Sequence, residues 1–192
     1  MQVFSGLYDR VMRWSRHPRA SALLVGLSFA ESSFFPIPPD VMLAPMSMAR
    51  PRRAFWYAGL TTLASVAGGV VGYFIGLLAF EAVTPWIQEL GYWDKYLLAR
   101  QWFDQWGFWA VFLAGFSPIP YKIFTITSGA IAMSLLPFVT ASAIGRGARF
   151  YLVAGLMAWG GQPMEALLRR YIDVAGWIVV FAVIVGLFLV KF

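Results

Sequence analysis

Five ionisable side chains stand inside stretches that are otherwise apolar: Glu31, Asp40, Lys122, Arg146 and Arg149. A charge at the centre of a bilayer costs at least about 2.5–3.5 kcal/mol, so a decorative role for such a set is a poor explanation. Their balance is two acids against three bases. With both acids ionised one base stays unmatched, and protonating either acid releases more positive charge that an anion can receive. Arginine suits phosphate because its planar fork donates two parallel hydrogen bonds, whereas lysine acts as a point charge. Desolvation favours the neutral form of a carboxyl and a neighbouring arginine favours the ionised form, which makes Glu31 and Asp40 candidates for proton uptake and release. The same five residues also support a plainer reading, in which acids and bases neutralise each other and pin helices together. Ser32, Ser33, Ser117, Thr125, Thr127 and Ser128 add hydroxyls that could serve a headgroup or the backbone carbonyls left open by nearby prolines.

Two proline breaks position these residues. FFPIPPDVM (34–42) and FSPIPYKIF (116–124) nearly repeat each other, with Asp40 in the first where Lys122 stands in the second. Pro36, Pro38, Pro118 and Pro120 remove backbone donors and disfavour helix before them. The apolar runs 20–35 and 41–49 are each shorter than the about 20 residues a span needs. Together they predict a re-entrant hairpin over 20–49, and the same reasoning predicts a second over 107–133. Broken backbone at that depth is tolerated only where protein or a wet cavity surrounds it. The two tips are therefore expected to meet, with Asp40 and Lys122 facing each other or a shared substrate.

Full spans are predicted over 54–80, 134–160 and 174–190; the second carries Arg146 and Arg149 near its middle and must face something other than lipid. Gly68, Gly69, Gly72 and Gly76 form a small-residue face suited to close helix packing, and Gly129, Gly145 and Gly147 suit close backbone approach. Segment 81–106, with Trp86, Trp93, Trp102 and Trp106, reads as an amphipathic stretch lying along the outer interface.

Composition agrees with a membrane setting: 60% of residues are hydrophobic and 12% charged, against roughly 25% charged in a soluble domain. The expected fold class is an all-α integral membrane protein. Arginines in the N-terminal segment 1–19, at Arg50, Arg52 and Arg53, and at Arg169 and Arg170 put those regions in the cytoplasm by the positive-inside rule. Each hairpin is then followed by one crossing helix, and the two units have opposite orientation, an inverted repeat closed by a C-terminal helix. The basic N-terminal stretch is not expected to be a cleaved signal peptide. The net charge of +6 serves orientation, so no nucleic-acid partner is expected. There is no cysteine, and the single histidine, His17, sits in a basic run. Neither metal nor cofactor is expected, and no phosphate loop or zinc-type spacing is present.

The order E31-SSFFPIPP-D40, then a second F-x-P break leading to S128-G129-AIA-M133, then G145-R146-G147-A-R149 resembles the DedA family, which shares the SNARE-associated or VTT domain, in its short YqaA-like branch. The resemblance covers roughly residues 20–190. It implies a lipid transporter of the bacterial cytoplasmic membrane, since members are associated with moving polyprenyl phosphate or phospholipids in dependence on the proton motive force, and eukaryotic relatives act as scramblases. Glu31 and Asp40 match the family's essential membrane acids. The second break departs from the pattern: many members place arginines on both sides of the proline, whereas here Gly115-Phe116-Ser117 precede Pro118 and Lys122 is the only base. The resulting expectation is a proton-coupled flippase, with Glu31 and Asp40 carrying protons and Lys122, Arg146, Arg149, Ser117 and Thr125 binding the lipid. Its partners are membrane lipids with phosphate headgroups and protons, and a homo-oligomer is compatible. A membrane phosphatase using Glu31-Ser32-Ser33 on a polyprenyl pyrophosphate, and an assembly factor that transports nothing, are the alternatives.

Overall fold

The computed structural model describes residues 19–160 apart from positions 36, 92, 118 and 119. The expected N-terminal segment, the break residues Pro36 and Pro118, Arg169, Arg170 and the expected helix 174–190 lie outside the described residues. Among the described residues the regular structure is all helical: α1 (Ala20–Ser33), α2 (Asp40–Ala49), a 3₁₀ turn (Pro51–Arg53), α3 (Ala54–Glu89), α4 (Trp93–Phe116), α5 (Tyr121–Ala130) and α6 (135–160). One helical stretch among them, Pro51–Ala82, is long and apolar enough to cross a membrane, with a mean hydropathy of 2.0.

Prolines stop one helix and start the next. At the end of α1 the amides of Phe34 and Phe35 both donate to the Ala30 carbonyl, at 2.8 and 2.7 Å. The carbonyls of Pro38 and Pro39 then accept from Val41, Met42 and Leu43, so residues without an amide donor of their own open α2. Pro120 opens α5 in the same manner, accepting from Ile123 at 3.2 Å. Between α5 and α6 the chain reverses at Ala132, whose φ of 55° lies in the left-handed region. The amides of Ala132 and Met133 close that turn on the carbonyls of Gly129 and Ser128.

The segment expected over 81–106 divides into the last turns of α3 and the first half of α4. Nothing between Phe80 and Glu89 stops α3; even Pro85 is carried inside it. The helix ends at Glu89 and the chain turns away at Gly91, whose φ of 71° suits a residue without a Cβ. Phe80 stacks on Tyr96 at 4.4 Å, which ties the start of α4 back onto α3.

The core has two apolar clusters. The first gathers Leu24 of α1, Met42, Leu43 and Met46 of α2, Tyr57 and Ala58 of α3, and Phe150 and Ala154 of α6. The second gathers Tyr73 of α3, Val111 and Ala114 of α4, Tyr121 of α5, Met133, and Phe138 and Ala141 of α6. Helices α3 and α6 therefore each run from one cluster to the other, in opposite directions. Helices α1 and α2 share the first cluster and α4 and α5 share the second, so each pair doubles back where the prolines stand.

Glycines bring these helices together by letting backbones touch. A Cβ on Gly68 of α3 would enter the Phe29 carbonyl of α1, and one on Gly76 would enter the Ile126 carbonyl of α5. Gly129 of α5 meets the Tyr73 carbonyl of α3 in return. Such contacts gain their energy from close van der Waals packing rather than from large side chains. Apolar side chains also cover the outside: Leu63, Leu78, Leu136 and Trp159 are exposed.

Candidate functional site

A polar layer separates the two clusters. It begins with the serines of α1, which dock on α3. Ser28 donates to the Thr61 carbonyl at 2.7 Å, and Ser32 shares a 2.7 Å hydrogen bond with Ser65. Both pairs are 33 positions apart, which requires α1 and α3 to run parallel. Ser33 donates to the carbonyls of Phe29 and Gly68, each at 2.9 Å. These hydroxyls are fully buried and satisfied.

Arg146 enters this layer from α6 and is 2% exposed. Its Nη2 pairs with Glu31 Oε2 and reaches Ser32 Oγ at 3.4 Å, while Nε donates to Ser65 Oγ at 2.6 Å. The guanidinium also lies 4.9 Å from the Tyr121 ring centroid and 4.6 Å from that of Phe150. Tyr121 donates in turn to Ser142, which donates to the Phe138 carbonyl. A buried cation needs this many partners, because each unmet donor would carry its full desolvation cost.

Arg149 stands three residues further along α6, about one turn, and holds both breaks. Its Nη2 donates to Asp40 Oδ2 at 2.6 Å and its Nη1 donates to the carbonyl of Ser117. This pair is the more open of the two: the side chains of Arg149 and Asp40 are 18% and 22% exposed, against 3% and 11% for Arg146 and Glu31. Asp40 Oδ1 is buried and accepts no hydrogen bond among the described residues.

The structure thus brings Glu31, Asp40, Arg146, Arg149, Ser117 and Thr125 into one layer. Thr125 acts on backbone, donating to the carbonyls of Ser32 and Lys122 at 3.3 and 3.0 Å. Ser117 contributes its carbonyl. Of the two arrangements expected for Asp40 and Lys122, direct pairing is corrected: Asp40 pairs with Arg149, because α6 passes beside both breaks and presents its second arginine there. Lys122 is half-buried and makes no ion pair among the described residues. Of the break prolines within the described residues, Pro38 and Pro120 are exposed. Ser65 and Tyr121, which complete the Arg146 site, were not among the expected residues. Ser65 lies three residues before Gly68 in α3, so a polar member of the small-residue face was its available signal.

A bundle of helices that holds one buried and one half-buried acid–arginine pair between apolar clusters, under an apolar exterior, defines a helical membrane protein with an ionic interior. The chain belongs to the VTT-domain, or DedA, family: the VTT domain matches residues 37–159, a range that contains Asp40, Lys122 and both arginines. A protein of Haemophilus influenzae is 48% identical over 191 residues, covering 100% of both chains. A protein of Histophilus somni is 47% identical over 190 residues, covering 98% of this chain and 100% of that one. Neither relative's name states an activity. Undecaprenyl phosphate transporter A of Staphylococcus aureus is 33% identical over 92 residues, 45% of each chain. No solved structure matches.

Proposed function

We propose that this protein moves an anionic, phosphate-bearing lipid across the bacterial cytoplasmic membrane in exchange for or together with protons. Membership of the VTT-domain family and the name of the Staphylococcus aureus relative support membrane lipid transport, with a polyprenyl phosphate or a phospholipid as the cargo. The observation that carries the site-level reading is the bond pattern of Arg149, one side chain joined to both proline breaks between the two apolar clusters. Discontinuous helices whose broken ends meet around a charged centre are a common way to build a transport site.

In this reading α1 with α2, and α4 with α5, are re-entrant hairpins entering from opposite sides, and α3 and α6 are the crossing helices of two inverted repeats. The separate clusters of the two pairs support that arrangement. So does the parallel docking of α1 on α3, and α4 in turn meets α6 closely where Gly145 reaches the Phe112 carbonyl. The N-terminus and the Arg50–Arg53 turn face the cytoplasm. Lys122 and Arg149 meet the headgroup, Arg146 adds positive field from behind its pair with Glu31, and Asp40 exchanges protons as access changes sides.

Purified protein in vesicles carrying labelled lipids, with and without a pH gradient, tests the proposal. Movement of a phosphate-bearing lipid that accelerates with the gradient is expected. Movement of every lipid at a rate unaffected by Glu31→Gln and Asp40→Asn would remove the mechanism.

A further inference from the structure

The two ion pairs are not equivalent. Arg146 is 2% exposed, with Glu31 and Ser32 on Nη2, Ser65 on Nε and the rings of Tyr121 and Phe150 beside it. No ligand could reach it without dismantling the contact between α1, α3 and α6. Arg149 is more exposed and divides its two terminal nitrogens between two single acceptors, one from each break.

We propose that Asp40 is a stand-in for a phosphate monoester on Arg149: its carboxylate occupies at rest the place the phosphate takes during transport, and the exchange separates the two breaks while Arg146–Glu31 stays closed. The choice of ligand rests on the lipid-transport reading above. Its chemistry follows from the contacts. A carboxylate oxygen and a carbonyl oxygen each meet Arg149 singly, whereas a phosphate monoester offers three terminal oxygens and can engage both nitrogens through the parallel fork. One incoming ligand therefore competes with both existing contacts at once. Asp40 is also incompletely held, because its Oδ1 is buried without a hydrogen bond among the described residues, which weakens its claim on the site. Lys122, in the first turn of α5 beside the second break and without an ion pair among the described residues, adds the charge that a phosphate carries beyond a carboxylate.

Arg149 is consequently the headgroup-binding residue and Arg146 a positioning residue that keeps α1 against α6. Loss of the Arg149 contacts frees Asp40 and Ser117 from α6 at the same moment. Loss of Arg146–Glu31 would instead loosen a helix contact and leave the two breaks joined.

The chain has no cysteine, so Ile37→Cys and Ile123→Cys, at exposed positions beside the two breaks, can carry a spin-label pair that reports their separation. The full chain is placed in vesicles of phosphatidylcholine alone, of phosphatidylcholine with phosphatidic acid, and of phosphatidylcholine with added inorganic phosphate. The distance distribution should shift to longer values with phosphatidic acid. A shift with phosphatidic acid alone supports exchange by a lipid headgroup, and a shift with inorganic phosphate as well supports exchange by the free anion too. Asp40→Asn should give the longer distance in phosphatidylcholine alone, and Glu31→Gln should not. No shift with either phosphate source, or equal shifts from Asp40→Asn and Glu31→Gln, overturns the proposal. Should Glu31→Gln fail to fold, the Asp40→Asn and phosphatidic acid arms decide it. Labelled-lipid movement in the same vesicles separates the two ideas: breaks that part without lipid crossing leave the exchange standing and remove transport, and lipid that crosses at an unchanged distance does the reverse.

Discussion

Arg146 and Arg149 stand three residues apart on one helix and hold different parts of the protein: the first is buried against Glu31 of α1, the second bridges Asp40 and the Ser117 carbonyl across the two proline breaks. An α-helix puts such a pair on one face, so a single surface of α6 serves the wall of the bundle and its broken centre together.

Arg146→Met should be severely destabilising, because it leaves the Glu31 carboxylate buried without its cation. Breaking a buried pair from one side typically costs about 3–5 kcal/mol. The double change Glu31→Gln/Arg146→Met should recover a large part of that loss. Unfolding of the four proteins in detergent, compared as a cycle, checks both statements.

Lys122→Ala should leave the unfolding midpoint close to that of the unchanged protein, since Lys122 makes no ion pair among the described residues. Movement of phosphate-bearing lipid in vesicles should nevertheless fall. A variant that lost stability and transport together would assign Lys122 to the fold.

Gly129→Ala should destabilise, because its Cβ would meet the Tyr73 carbonyl at a point where neither backbone can withdraw. Overpacking of this kind costs about 1–3 kcal/mol. Gly26→Ala, on a face of α1 with nothing within 4 Å of the added carbon, should be neutral or stabilising, by up to about 1 kcal/mol from helix propensity. Melting temperatures in one detergent compare the two directly.

Asp40→Asn should make lipid movement insensitive to an imposed pH gradient, because the amide cannot take up and release the proton that a carboxyl can. The measurement is the ratio of rates with and without the gradient. A ratio unchanged from that of the unsubstituted protein would place the coupling elsewhere.

Much of this was legible locally. Three prolines in PIPP and two in PIP, closely spaced, remove several helix hydrogen bonds at once, whereas the isolated Pro85 is carried inside α3, so the breaks could be read from residues 34–42 and 116–124 alone. Charges inside apolar runs are costly without partners, which singled out Glu31, Asp40, Lys122, Arg146 and Arg149 before any contact was known; four of them form ion pairs, and Lys122 forms none among the described residues. The end of α3 was harder to read. Hydrophobicity falls after Phe80, but a helix stops only where its backbone does, at Glu89, just before the turn at Gly91.

The sequence by itself determined the helical class, the membrane setting, the positions of the breaks and the set of charged residues, because propensity and desolvation act on each segment separately. Only the tertiary structure decided which charge meets which. The repeated break pattern pointed to Asp40 opposite Lys122, but pairing depends on which helix faces converge, and glycine contacts bring α1, α3 and α5 together while α6 passes alongside both breaks. That convergence gives Asp40 to Arg149, encloses Arg146 with Ser65 and Tyr121, and makes one of two neighbouring arginines part of the wall and the other the tie between the breaks.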